Sequence, residues 1–307
     1  MEYEGQICRA PMERSAYKLP IMVGCRYNKC KFCDLFKHLK FRVIPIEEVR
    51  EDIKRVYDSG GRPRKIFLGD GSAFDLSTEH LLQVLDVIHS FFPDCFEINM
   101  NATVKGISYK SDEELRALAD SGVRHLYIGV ETGLEDVLAF MNKGNTVAEL
   151  REQVLRIQKY GMCLDAHFMT GAAGMGRGEE NAKATAAVLT ELHATSATNF
   201  SMFVQHSTPL YQDVLDGKFT PASEYESLME EKRLIGLICD SLLKEGNHTM
   251  KYEGFHDFIA FHVWGTLPRD GERIIAKLDA VINEYENKQD IKAIIGPDST
   301  FTIRSAY

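Results

Sequence analysis

No stretch of this 307-residue chain approaches the roughly 20 apolar residues that cross a bilayer. The opening residues, Met1-Glu2-Tyr3-Glu4-Gly5, lack the basic-then-apolar pattern of a secretion signal. Positive charge is short: 36 Lys and Arg face 45 Asp and Glu, a net charge of -9. That balance argues against a general nucleic-acid binder, though it leaves room for a local basic pocket. Seven cysteines are too sparse, and odd in number, for a disulfide framework, so reduced thiols in a cytoplasmic protein are expected. There is no low-complexity segment, no obvious linker and no second Cys-x-x-Cys pair. What remains is an ordinary folded mix, 44% apolar and 26% charged, long enough for one large domain or one with a small appendage.

A strand-then-helix rhythm recurs along the chain. Strands are expected at residues 19–23, 65–68, 95–101, 125–130, 163–169 and 199–204. Helical periodicity intervenes near residues 45–57, then at Leu81, Leu82, Leu85 and Ile88 behind the N-cap Ser77. It returns behind the capping-box start Ser111-Asp112-Glu113-Glu114, at 134–141 and 147–160, and at 179–193. Parallel strands need crossover helices, so this alternation predicts an α/β fold with a parallel sheet. Beyond residue 209 the rhythm changes to long helices at 223–244 and 271–285 and a short extended tail at 301–303. The expected organisation is a barrel core over 1–211 with a helical extension over 212–307 packed on it. The polar and glycine-rich motifs fall after strands one, two, four and five, so they should meet on the rim formed by the strand C-termini.

The richest local signal is Gly24-Cys25-Arg26-Tyr27-Asn28-Lys29-Cys30-Lys31-Phe32-Cys33, directly after the first strand. Cys25, Cys30 and Cys33 can hold three irons of a [4Fe–4S] cluster and leave the fourth iron open for chemistry. A structural zinc would need a fourth ligand, and Cys8 and His38 are poorly placed because a strand separates Cys8 from the loop. Three unrelated reduced cysteines are the third reading.

This loop resembles the cluster loop of the radical S-adenosylmethionine (radical SAM) enzymes. The usual spacing is CxxxCxxC with an aromatic before the last cysteine; Phe32 fills that place, but this chain reads CxxxxCxxC. Phe67-Leu68-Gly69-Asp70-Gly71 resembles the motif after strand two. Gly129-Val130-Glu131-Thr132-Gly133, Met141-Asn142-Lys143-Gly144 and Thr208-Pro209-Leu210-Tyr211 resemble the branch containing oxygen-independent coproporphyrinogen oxidase. Gly171-Ala172-Ala173-Gly174 holds the strand-five place, and Gly265-Thr266-Leu267-Pro268-Arg269-Asp270 is similar to compact members without an assigned substrate. The similarity spans roughly residues 19–211. It implies a partial (β/α)6 TIM-type barrel, a [4Fe–4S] cluster and S-adenosylmethionine (SAM) as cofactors, and reductive cleavage of SAM to a 5′-deoxyadenosyl radical.

The resemblance also implies roles. Gly69 and Gly71 would receive the SAM amino group, Lys143 its carboxylate, and Gly171 and Ala172 would lie along the adenine, with Phe32 nearby. Asp70 either accepts from the ammonium or braces its turn. Glu131 accepts from SAM or caps the next helix. Asn99 and Asn101 share a strand face, and Asn101 is the expected ribose contact. The stripe Phe255, Phe258, Phe261 and Trp264 reads as core rather than substrate platform, and His256 and His262 as core histidines. Cys95, Cys163 and Cys239 read as buried thiols. Lys29, Lys31, Lys37, Lys40 and Arg42 could dock an acidic flavodoxin or ferredoxin. The expected substrate is a porphyrin-like or other small metabolite, with nucleic acid disfavoured; the rival function is a non-enzymatic iron–sulfur or zinc protein, a carrier or sensor.

Overall fold

In the computed structural model, which describes residue 4, residues 8–288 and residues 294–296, eight strands join one sheet in chain order. They are β1 (Tyr17–Pro20), β2 (Lys65–Gly69), β3 (Glu97–Ala102), β4 (Val123–Glu131), β5 (Cys163–Phe168), β6 (Ser196–Phe200), β7 (Met250–His256) and β8 (Phe261–Leu267). Neighbours from β1 through β7 pair parallel, and only β8 runs antiparallel, against β7. The crossovers carry α1 (Ile46–Asp58), α2 (Thr78–Phe91), α3 (Asp112–Asp120), α4 (Val147–Lys159), α5 (Gly178–Glu191) and α6 (Glu224–Glu245); α7 (Gly271–Tyr285) follows β8. This is the expected α/β partial TIM-type barrel. Among the described residues no helix is long and apolar enough to cross a membrane.

The helices start where their caps say. Ser77 accepts from the His80 amide, and Ser111, Thr146 and Ser223 close capping boxes with Glu114, Glu149 and Glu226; losing such a cap costs about 1 kcal/mol. Each then lays one apolar stripe on the sheet. Leu81, Leu85 and Ile88 of α2 and Leu150, Val154 and Ile157 of α4 share a core with Ile66, Leu68, Ile98, Leu126 and Leu164. Burying each such side chain contributes roughly 1.5–3 kcal/mol.

Inside the barrel the far end is polar. His125 Nδ1 lies 2.6 Å from Asp165, Ser196 Oγ donates to the other Asp165 oxygen, and Asn99 donates to Glu97. The N-terminal segment plugs this interior. Glu13, fully buried, accepts from the Asn99 amide (2.9 Å) and the Tyr127 hydroxyl (2.6 Å) and pairs with Lys65. Arg14 forks onto Glu253 of β7 at 2.9 Å, while Ala10 and Ala16 pack with Phe67 and Tyr127.

Three boundaries differ from expectation. The first strand ends at Pro20, because the Ile21 amide turns to the Gly69 carbonyl and Met22–Val23 pairs instead with Arg42–Val43. The sixth strand is Ser196–Phe200, earlier than 199–204, since Ser196 and Asn199 are satisfied by Asp165 and Thr170. The region beyond 211 holds the two expected helices, but β7 and β8 also extend the sheet there, and Trp264 on β8 is exposed rather than core. The tail expected at 301–303 lies outside the described residues.

Candidate active site

The loop after β1 brings Cys25, Cys30 and Cys33 to a cavity of about 590 Å³ at the C-terminal ends of the strands. The longer first spacing is absorbed at Asn28, whose backbone is left-handed (φ 44°), a conformation asparagine tolerates. Its side-chain amide donates to the Phe36 carbonyl at 2.9 Å, and the Lys37 ammonium caps its own carbonyl at 2.7 Å. The loop is tied down from outside as well. Tyr27 donates to the Asn142 carbonyl (2.7 Å), Asn142 donates to the Lys29 carbonyl (3.0 Å), and the Lys31 amide reaches Met141.

Beneath it lies the turn after β2. A Cβ on Gly71 would collide with the Gly24 carbonyl and crowd Cys25. Glycine is therefore needed here for loop-on-loop approach, a different reason from access to a ligand amine. Asn101 on β3 donates to the Gly71 carbonyl at 3.1 Å, holding that turn while still facing the cavity. Gly69 and Asp70 are not in the cavity wall. Asp70 is buried in an ion pair with Lys18 at 3.0 Å, the bracing role; burial raises its carboxyl and Lys18 opposes that rise.

From β4 and the turn beyond it come Glu131 and Lys143, paired at 2.5 Å within the cavity wall. A Cβ on Gly129 would strike both partners, so this glycine makes room for the pair. Burial disfavours the Lys143 charge, but Glu131, Cys30 and Cys33 outweigh it and raise its pKa. Phe32 also lines the cavity and packs against a second apolar cluster with Met169 and Met202. Gly171 and Ala172 stand apart: the Gly171 amide donates to Glu230 of α6, and Ala172 lines a separate depression. In their place Met169, Ser201 and Met202 form that side of the wall.

Several cavity residues carried no sequence signal. Cys8 lies in the same wall as the loop cysteines, contrary to its expected separation, because the plug carries it into the barrel. Burial, then Asp70, pushes its thiol up to about 11. Tyr127 and His167 line the cavity from β4 and β5, and Phe200 and Phe255 from β6 and β7. His256 is fully buried between Glu224 (2.5 Å) and Glu231 (2.7 Å), away from the cavity wall, and His262 stacks on Phe255.

The donor set fits an iron–sulfur cube. Burial raises the Cys30 thiol and pushes Cys33 up to about 12, with Cys30, Cys25 and Cys8 adding repulsion. Crowded thiols of this kind ionise together only around a cation. Zinc needs four donors converging on one point. A cube takes one thiolate per iron, and the three loop cysteines share one cavity wall.

Comparison with known proteins agrees with this geometry. The Radical SAM superfamily matches residues 19–183. The chain is 25% identical over 195 residues to a tRNA-2-methylthio-N(6)-dimethylallyladenosine synthase of Chlorobium phaeobacteroides, covering 62% of this chain and 43% of that protein. It is 23% identical over 234 residues to the heme chaperone HemW of Bacillus subtilis, covering 74% of this chain and 60% of that one. It thus spans about half the length of these curated relatives. Its fold is similar to that of methylornithine synthase (PylB), with a TM-score of 0.55 and 14% identity, covering 95% of this chain and 75% of that chain. With the superfamily matched over more than half its length, the chain belongs to the radical SAM superfamily, whose members bind a [4Fe–4S] cluster and SAM.

Proposed function

We propose that this chain cleaves SAM reductively and uses the 5′-deoxyadenosyl radical to take a hydrogen atom from a small molecule. The observation that carries the reading is three loop thiols sharing one cavity with the buried Lys143–Glu131 pair. When bound, the cluster supplies one electron and an iron without a protein ligand, at which the sulfonium–C5′ bond breaks. Cys25, Cys30 and Cys33 hold the other three irons as thiolates. Lys143, kept charged by its surroundings, turns from Glu131 to the SAM carboxylate, and Glu131 then accepts from the SAM ammonium or ribose hydroxyls. Asn101 keeps the Gly71 turn in place and meets the ribose. Phe32 covers the cluster and excludes water. Gly171 and Ala172 support the adenine side from behind through the Glu230 bond rather than by lining it.

An acidic flavodoxin- or ferredoxin-type donor fits the loop's outer face. Lys31 there pairs with Asp213 and Arg42 with Glu4, while Lys29 and Lys40 stay exposed.

The test is anaerobic reconstitution with iron and sulfide, followed by dithionite and SAM. The expected result is 5′-deoxyadenosine and methionine. A reducible brown protein that leaves SAM intact would instead be a carrier or sensor. A colourless protein containing zinc and little iron would end the cluster reading.

A further inference from the structure

Four consecutive strands each place one aromatic ring in the cavity wall. Tyr127 of β4 lies 5.5 Å from His167 of β5, His167 lies 5.3 Å from Phe200 of β6, and Phe200 lies 5.8 Å from Phe255 of β7 with ring planes within 13°. Phe67 and His262 continue the row at its two ends. The hydroxyl of Tyr127 is already committed to Glu13, which also serves Asn99 and Lys65.

His167 is different. Among the described residues its enclosed Nε2 has no hydrogen-bond partner, and its register partner on β6, Thr198, has an equally orphaned Oγ1. An unmet buried polar group costs about 1–3 kcal/mol, and a phenylalanine or leucine would fill this place without that cost. Burial, with Lys143 adding to it, lowers the His167 pKa to about 4, so the ring is neutral near pH 7 and has one donor and one acceptor nitrogen. The four ring side chains themselves are uncharged near pH 7, with Arg14 lying over the Phe255 ring at 5.8 Å.

We propose that Tyr127, His167, Phe200 and Phe255 form the substrate floor, taking a flat, uncharged ring system whose polar edge hydrogen-bonds to His167. This rests on the SAM-cleaving reading above, and the cavity's size sharpens it. At about 590 Å³ the cavity lies within the ~300–1,000 Å³ that holds one drug-sized ligand.

The experiment uses the cluster-reconstituted full chain with SAM and no reductant, and compares indole with indene by anaerobic equilibrium dialysis. The two probes match in shape, but only indole offers an N–H. Indole should bind about tenfold tighter, the worth of one hydrogen bond in an apolar site. His167→Leu should erase that preference, His167→Gln should keep part of it, and Phe255→Ala should weaken both probes. Equal binding of the two probes by the parent protein, no binding of either, or a preference that survives His167→Leu overturns the proposal. Release of 5′-deoxyadenosine by the parent protein with dithionite is a separate readout. Probe selectivity without that product leaves the floor standing and removes the SAM reading; the product without selectivity does the reverse.

Discussion

At the scale of single residues, Cys30 and Cys8 make an informative pair because both face one cavity. Cys30→Ala removes a thiolate from its iron, and SAM cleavage should fall below detection with iron content reduced. Cys8→Ser should leave both near the parent level, read as 5′-deoxyadenosine per iron; loss of cluster in Cys8→Ser would make Cys8 a ligand and close the open iron. Lys143→Ala should raise the SAM dissociation constant about tenfold or more, as loss of a buried charge-assisted contact predicts, with iron content unchanged. Unchanged SAM affinity would leave Lys143 only its pairing with Glu131. The cysteine loop and Glu131 were legible from local signals, a spacing and a strand end, while Lys143 was named only through the resemblance of its motif to a known branch. Cys8 and His167 were not, because what brings them to the cavity is the plug and the barrel's curvature, and neither leaves a mark on neighbouring residues. Gly171 and Ala172 show the converse: the resemblance placed them along the adenine, but the Gly171 amide faces α6 and Ala172 lines a separate depression.

At the scale of elements, α6 joins β7 through an acid-rich interior. Glu224, Glu230 and Glu231 are all buried on this helix, and His256 of β7 bridges the first and third. Burial opposes the His256 charge, but Glu231 and Glu224 outweigh it and push the pKa up to about 10. The raised value means that the folded chain holds this proton more tightly than the unfolded one. Its stabilisation is therefore complete below the ordinary histidine range near ~6.5 and is lost as pH rises through about 10. Glu230, pushed up to about 8 by burial, acts in the same direction at lower pH. The melting temperature should fall between about pH 6 and 10, and His256→Gln should flatten the upper part of that fall. Parallel pH profiles for the two proteins would mean that His256 is neutral in the fold. Helices with caps and apolar stripes were readable in advance. β6 was misplaced because Ser196 and Asn199 are satisfied by partners distant in sequence, so hydrophobic alternation fails there. β7 and β8 were missed for a related reason: Glu253 and the buried His256 are paired with charges from other elements.

At the scale of the whole molecule, the order of the sheet follows the order of the chain, which is why six βα units in a parallel sheet could be read from alternation, with their barrel form implied by the family resemblance. The boundary expected at residue 211 has a different status. α6 packs on α5, and β7 pairs along the full edge of β6, so the later residues complete layers begun by the earlier ones. A chain ending at Tyr211 should therefore aggregate or lack a cooperative melt, as monitored by circular dichroism and gel filtration. A sharp two-state transition in that fragment would establish an autonomous core. The plug adds a matter of timing. Arg14 and Glu253 are 239 positions apart, yet they pair at the solvent-facing side of the plug. During synthesis on the ribosome, the segment bearing Cys8 and Glu13 emerges early but waits for β7 before Arg14 finds its partner. Until β7 pairs with β6, the nascent barrel is open along that edge, and the plug lacks the strand that carries its last partner.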